Sequence, residues 1–203
     1  MLLVYVAQIL AFTIAITVHE ASHGWLADKL GDKTARAMGR VTMNPLAHID
    51  PIGTVVLPLL LILTRSPFIF GWAKPVPVNP YNLRNPRKDM LWIGLAGPTA
   101  NIITAVVFAL ILRSGMIVAG SISQIFVVQV ILINLVLAVF NLIPIPPLDG
   151  YQILSGLLPR EAAISYSRIQ PYGMWILIAL LVLGVIGAII GSVVGILFRI
   201  LVG

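Results

Sequence analysis

The chain has 203 residues, 59% of them hydrophobic and only 10% charged, with a mean hydropathy of +1.03. That balance is too apolar for a soluble domain of this size and points to a bilayer as the solvent. The formal charge of +6 does not mark a nucleic-acid surface, because the basic residues fall in two loop regions. Lys29, Lys33, Arg36 and Arg40 form the first, and Lys74, Arg84, Arg87 and Lys88 the second, as in the positive-inside pattern of membrane proteins.

The absence of cysteine removes disulfides and thiolate ligands, so a transition-metal site must be built from histidines and carboxylates. Residues 1–18 form an apolar run interrupted by Gln8, Thr13 and Thr17. Without a basic leading region or a small-residue cleavage site, the run is expected to be a retained helix. It leads directly into His19-Glu20-Ala21-Ser22-His23. On a helix the two histidines share one face and both imidazoles can reach one zinc ion, the logic of HExxH. Glu20 is turned about 100° from His19, where it can take a proton from water instead of ligating the metal. The bland alternative is interfacial side chains snorkelling to water. Against it stands the cost of ionisable groups at a membrane boundary, on the order of 3 kcal/mol each. Trp25 follows where a headgroup-level anchor belongs.

Residues 39–43 are expected to form a short strand before the Asn44-Pro45 turn. The segment 52–64 is apolar, but it is short for a crossing and contains Pro58, which suits a re-entrant hairpin. That hairpin also keeps both basic loops on one side and returns Asp149 to the side of His23. Three further stretches, 90–112, 114–148 and 171–198, are each long enough to cross a hydrocarbon core of about 30 Å. No internal repeat is visible. The expectation is one membrane domain over 1–203, with a core at 1–158 and a C-terminal helical region at 159–203. Its fold class is an all-α polytopic membrane protein with about four to six transmembrane helices, a re-entrant hairpin and small β elements near the site.

Two histidines leave a catalytic zinc one protein ligand short. Asp149 closes the run Asn141-Leu-Ile-Pro-Ile-Pro-Pro-Leu-Asp-Gly150, in which Pro144, Pro146 and Pro147 forbid a regular helix. Irregular backbone at membrane depth lines cavities, although Asp149-Gly150 alone reads as an ordinary turn. His48 is the rival third ligand, as the remaining histidine in a loop near the site. Asp50 is a candidate for orienting a histidine from behind. Asn101, with Gly97-Pro98, reads as a close-packing position or an interhelical hydrogen bond.

In combination, HEASH, Gly94-Leu-Ala-Gly97-Pro98-Thr-Ala-Asn101 and Asn141-x-x-Pro144-x-x-x-x-Asp149-Gly150 resemble the site-2 protease family of intramembrane metalloproteases, over residues 1 to about 158. The stretches 44–51 and 70–77 resemble its compact branch, which lacks PDZ and CBS domains. The resemblance implies one Zn2+ per chain on His19, His23 and Asp149, with Glu20 activating water. It also implies Asn141 in the active site, where its amide stabilises a developing oxyanion. His48, Asp50 and Asn101 are then candidates for supporting the ligands or the substrate. The implied activity is zinc endopeptidase cleavage in or near transmembrane segments of membrane-protein substrates, as in regulated intramembrane proteolysis. The setting would be a prokaryotic plasma membrane, with the site toward the cytoplasm. Substrate could add as an extended strand to 39–43 or 72–78. A membrane metal-ion transporter is the rival from another class, but it would spread its ligands along a path and show paired repeats. A catalytically inactive binding or chaperone module would have no need of the complete set.

Overall fold

A computed structural model gives the fold and describes residues 2–56, 60 and 73–203. Its helices are α1 (Leu2–Leu30), the single turn α2 (Thr34–Ala37), α3 (Pro86–Arg113), α4 (Ile122–Asn141), α5 (Asp149–Leu157), α6 (Arg160–Ser167), α7 (Gly173–Val182) and α8 (Val185–Val202). Four of them, α1, α3, α4 and α8, are long and apolar enough to cross a membrane. Their outward faces carry exposed large apolar side chains, among them Leu3, Ile9, Ile103, Leu110, Ile196 and Ile200. An apolar surface this extensive belongs against lipid, and the protein is an integral membrane protein.

The inner packing follows from side-chain size. Buried Ala7, Ala11, Ala15, His19, His23 and Ala27 recur every four residues along α1, and the matching row on α3 is Ile93, Gly97, Asn101, Ala105 and Ala109. A period of four lies along one helix face, and small residues on that face let backbones approach closely inside a membrane. The helix α4 closes the group with Val127, Val130, Ile131, Asn134, Leu135 and Ala138. The polar residues of these three rows therefore meet inside the bundle.

The fold departs from the sequence expectations at two points. Among the described residues there is no β-strand. Gly39 has a left-handed φ of 67° and residues 41–43 are bends, while 73–79 run without regular structure. Pro75 and Pro77 strip one edge of that stretch of N–H groups, and on the other edge the amides of Lys74 and Val76 go to the His48 carbonyl and the Glu20 side chain instead of a partner strand. The long apolar run 171–198 is not one crossing helix but two, α7 and α8, separated at Leu183 and Gly184, where Gly184 has φ 74°. At ten residues, α7 spans only about 15 Å. The expected hairpin at 52–64 lies largely outside the described residues; Pro51–Val56 forms a wide π-type turn.

A buried carboxylate organises the loop after α1. Asp32 is fully buried and accepts hydrogen bonds from Thr34 N at 3.1 Å, Thr34 Oγ1 at 2.5 Å, Asn79 N at 2.6 Å and Asn82 Nδ2 at 2.9 Å. Burial pushes its pKa up, but these donors outweigh burial and hold it below 3.8. A depressed carboxyl contributes stability that is present above its unfolded value and is lost as pH falls through the folded one. Asp32→Asn is expected to lower the thermal midpoint at pH 7 by about 4–8 °C, corresponding to about 2 kcal/mol. The gap from wild type should close as pH drops below 3.8. A gap constant with pH in detergent-solubilised melts would count against this account.

Candidate metal centre

His19 and His23 sit one turn apart on the buried face of α1, with Nε2 atoms 3.1 Å from each other. Asp149, the first residue of α5, brings its Oδ2 to 3.1 Å from His19 Nε2 and 3.2 Å from His23 Nε2. The three atoms form a nearly equilateral triangle. Gly150 makes the approach possible, since a Cβ there would run into the carbonyl oxygens of Leu142 and Ile143 at the end of α4.

The far side of each imidazole fixes its tautomer. His23 Nδ1 donates to the Ile93 carbonyl at 2.6 Å, an atom that can only accept. His19 Nδ1 lies 2.6 Å from Asn101 Oδ1. The Asn101 amide is oriented by two acceptors, since its Nδ2 donates to Ala15 O at 2.9 Å and to Asn134 Oδ1 at 2.8 Å. Asn134 Nδ2 in turn donates to Val130 O at 2.8 Å. Asn101 Oδ1 must therefore accept, Nδ1 carries a proton on both rings, and in the neutral rings the Nε2 lone pairs face Asp149.

With both rings neutral, two lone pairs and a carboxylate oxygen converge here, and apart from the two imidazoles no donor reaches the buried Asp149 Oδ2. Such a cluster repels itself unless a cation, a metal ion or a proton on Nε2, sits among its members. Ligand atoms about 2.0 Å from a tetrahedral zinc lie about 3.3 Å apart, close to the separations found here, and a set of two imidazoles and one carboxylate suits that ion. Among the described residues, this is the one group of three or more metal-competent side chains within reach of a common ion.

Around the triangle lies a cavity of about 340 Å³, lined by Glu20, Pro75, Val76, Asn141, Asp149 and Gln152 among others. Glu20 Oε2 accepts a hydrogen bond from Val76 N at 2.9 Å. Asn141 reaches the cavity with one Nδ2 proton directed to Leu137 O, 3.0 Å away, which leaves the other for a ligand. Gln152, one turn beyond Asp149, has a buried Oε1 without a partner.

The remaining candidates lie elsewhere. His48 is fully buried and its Nε2 donates to Thr42 O at 2.9 Å, so it does not join the triangle. Asp50 accepts from Ile52 N at 3.0 Å and Gly53 N at 2.7 Å, capping the turn that starts at Pro51. Neither orients a ligand, because both Nδ1 positions are taken by Asn101 and the Ile93 carbonyl. Asn101 makes the interhelical bond the sequence suggested and also holds His19. Gly97 is needed for the site itself, since a Cβ there would stand 2.6 Å from His19 Cε1 and 2.7 Å from His19 Nε2. Sequence reasoning missed Asn134 and Gln152; a lone Asn deep in an apolar helix was the available signal for the former.

Comparison with known proteins gives a consistent result. The model of Peptidase family M50 matches residues 7–119 and 113–184. The protein named "Putative zinc metalloprotease YwhC" from Bacillus subtilis is 38% identical over 182 residues, covering 86% of this chain and 79% of its own. A similarly named Rip2 from Mycolicibacterium smegmatis is 27% identical over 179 residues, covering 88% and 68%. The Rip2 of Mycobacterium tuberculosis strain H37Rv is 29% identical over 183 residues, covering 89% and 67%. No solved structure matches the chain.

Two substitutions test the geometry by metal content alone. Asn101→Leu removes the acceptor that fixes the His19 tautomer and should weaken zinc affinity about 10- to 100-fold. Gly97→Ala, which drives a methyl group into both imidazoles, should abolish stoichiometric zinc. Wild-type zinc content and affinity in both purified variants would contradict the arrangement.

Proposed function

We infer that this chain, which belongs to peptidase family M50, the site-2 proteases, cuts peptide bonds in or near transmembrane segments of membrane-protein substrates. It is a membrane zinc metalloprotease, and the reading assigns the ion to His19, His23 and Asp149. The observation that carries it is the convergence of two imidazole nitrogens and a carboxylate oxygen in a cavity that a further carboxylate, Glu20, also lines.

When bound, zinc supplies the Lewis acidity that makes water nucleophilic and polarises an amide carbonyl at neutral pH. The chain's own groups do the rest. Glu20 takes the proton of the attacking water and delivers it to the departing amine. The free N–H of Asn141 supports the carbonyl oxygen as it gains charge. The unpartnered Gln152 Oε1 is suited to the substrate backbone, accepting from one N–H beside the scissile bond. Pro147 is a further wall of the same cavity.

An amide within an α-helix has its carbonyl hydrogen-bonded and screened by side chains, so the segment to be cut is expected to unwind before it is attacked. Lys29, Lys33 and Arg36 follow the histidines directly, which supports a site near the cytoplasmic face of a plasma membrane.

Glu20→Gln keeps the side chain's size and removes its basicity. Purified protein given a model transmembrane peptide should retain one zinc per chain and lose cleavage by a factor of about 10²–10⁴. Unchanged cleavage would remove Glu20 from the base role, and zinc transport into proteoliposomes in place of cleavage would favour a transporter. For Gln152→Leu the expectation is a KM raised about tenfold, the worth of one hydrogen bond to substrate, with kcat nearly constant. A kcat loss at fixed KM would rule out this binding role.

A further inference from the structure

Residues 74–79 form a strap along the cavity that is tied down at both ends. Lys74 N donates to the His48 carbonyl at 2.9 Å and Asn79 N donates to Asp32 Oδ2 at 2.6 Å. Each anchor is itself fixed by buried polar contacts. Asp32 collects its four donors, His48 is held through its ring by Thr42 O, and the buried Arg40 guanidinium binds the Ala47 carbonyl next to His48. Three buried ionisable residues outside the metal triangle thereby locate one short segment.

What the strap presents is narrow. Pro75 and Pro77 lack N–H groups, so between the anchors only Val76 and Val78 have an amide to offer. The Val76 amide goes to Glu20 Oε2 at 2.9 Å. Its side chain settles on α1 at Gly24, where an added Cβ would meet Val76 Cγ1 at 3.2 Å. Gly24 directly follows His23, so the strap is seated against the same helix turn that carries both imidazoles.

We propose that the Val76 backbone amide is a positioning group for Glu20, and that the anchored, proline-flanked strap exists to hold it there. The proposal rests on the reading of Glu20 as the base. A glutamate has three rotatable bonds, and confining it costs conformational entropy at each turnover unless the protein has already fixed it. A charge-assisted bond to a rigidly held amide fixes one carboxylate oxygen and leaves the other to receive a proton. The flanking prolines stiffen the segment and leave no second donor beside Val76 to pull the carboxylate out of line.

The test replaces the Val76 amide with an ester by site-specific incorporation of 2-hydroxyisovaleric acid, with valine inserted by the same route as the reference. The ester removes one N–H and keeps the side chain. Expected are a kcat lower by about 10- to 30-fold, matching the entropy of a freed glutamate, with KM within about twofold and zinc at one per chain. A rise in kcat would make the strap a plug over the site, a rise in KM alone would make it a substrate contact, and an unchanged kcat would leave the amide without effect; each overturns the proposal. Independently of turnover, hydrogen exchange at the Val76 amide should be slow in wild type and at least about tenfold faster in Glu20→Ala. Equal exchange in the two proteins would show that the contact does not exist. If Glu20→Gln still cleaved while this exchange difference held, the base reading would fail and the contact would stand.

Discussion

A backbone carbonyl has no proton to give, and that fact at Val130 propagates through the protein to the candidate metal centre. Asn134 must donate to it, which turns the Asn134 oxygen toward Asn101. Asn101 must then donate with its nitrogen, as it also does to Ala15 O, and presents its oxygen to His19. His19 is left with a proton on Nδ1 and its Nε2 turned toward Asp149. Reversed, the chain would place an N–H in the centre of the triangle, and the cation site would vanish. Inside an apolar bundle few other partners are available, so a fully satisfied network of this kind has a single low-energy direction.

The network imposes a condition on packing. Asn101 can bridge α1 and α4 only if both backbones lie close to α3, and this explains the alanine positions at every fourth residue of α1 and the matching small residues on α3. Gly97 is the extreme case, because the two imidazoles occupy the space its side chain would need. Small residues contribute little apolar contact area of their own, so the polar bonds across the interface and the tight backbone approach must carry more of the helix association. Here the site residues and the packing residues belong to the same rows.

Legibility from sequence followed the distance over which each feature is specified. HEASH places two histidines within one helix turn, and the proline run before Asp149-Gly150 signals a broken backbone, so both were readable locally. The hydrogen-bond partners were not, because Asn101 and Asn134 acquire their meaning only when α3 and α4 are juxtaposed. Nor was the reason for Gly150, which is the carbonyl edge at the end of α4. Overreading had local causes as well. Alternating β-branched residues at 39–43 suggested a strand, but Gly39 in the left-handed region bends the chain there. The apolar run 171–198 contains no charged residue to mark its interruption; the break falls at Gly184, and a glycine in an apolar membrane segment is a weak stop signal. His48 and Asp50 drew attention as ionisable groups near the motif, yet one serves a loop carbonyl and the other a helical turn.

The parts of the site differ in how firmly they are held. His19 and His23 are set by three packed helices, and Asp149 by α5, which lies against α3 so tightly that a Cβ at Gly156 would meet Leu91 Cβ at 2.6 Å and one at Gly94 would meet Asp149 O at 3.2 Å. The strap has no helix of its own and is held by its polar anchors together with Val76 against Gly24 and Val78 against the cluster of Ala27, Leu83 and Ile93. The same strap carries the hydrogen bond to Glu20. Ligands and base are thus placed by different parts of the chain, so a change confined to the strap acts on Glu20 and leaves His19, His23 and Asp149 in place.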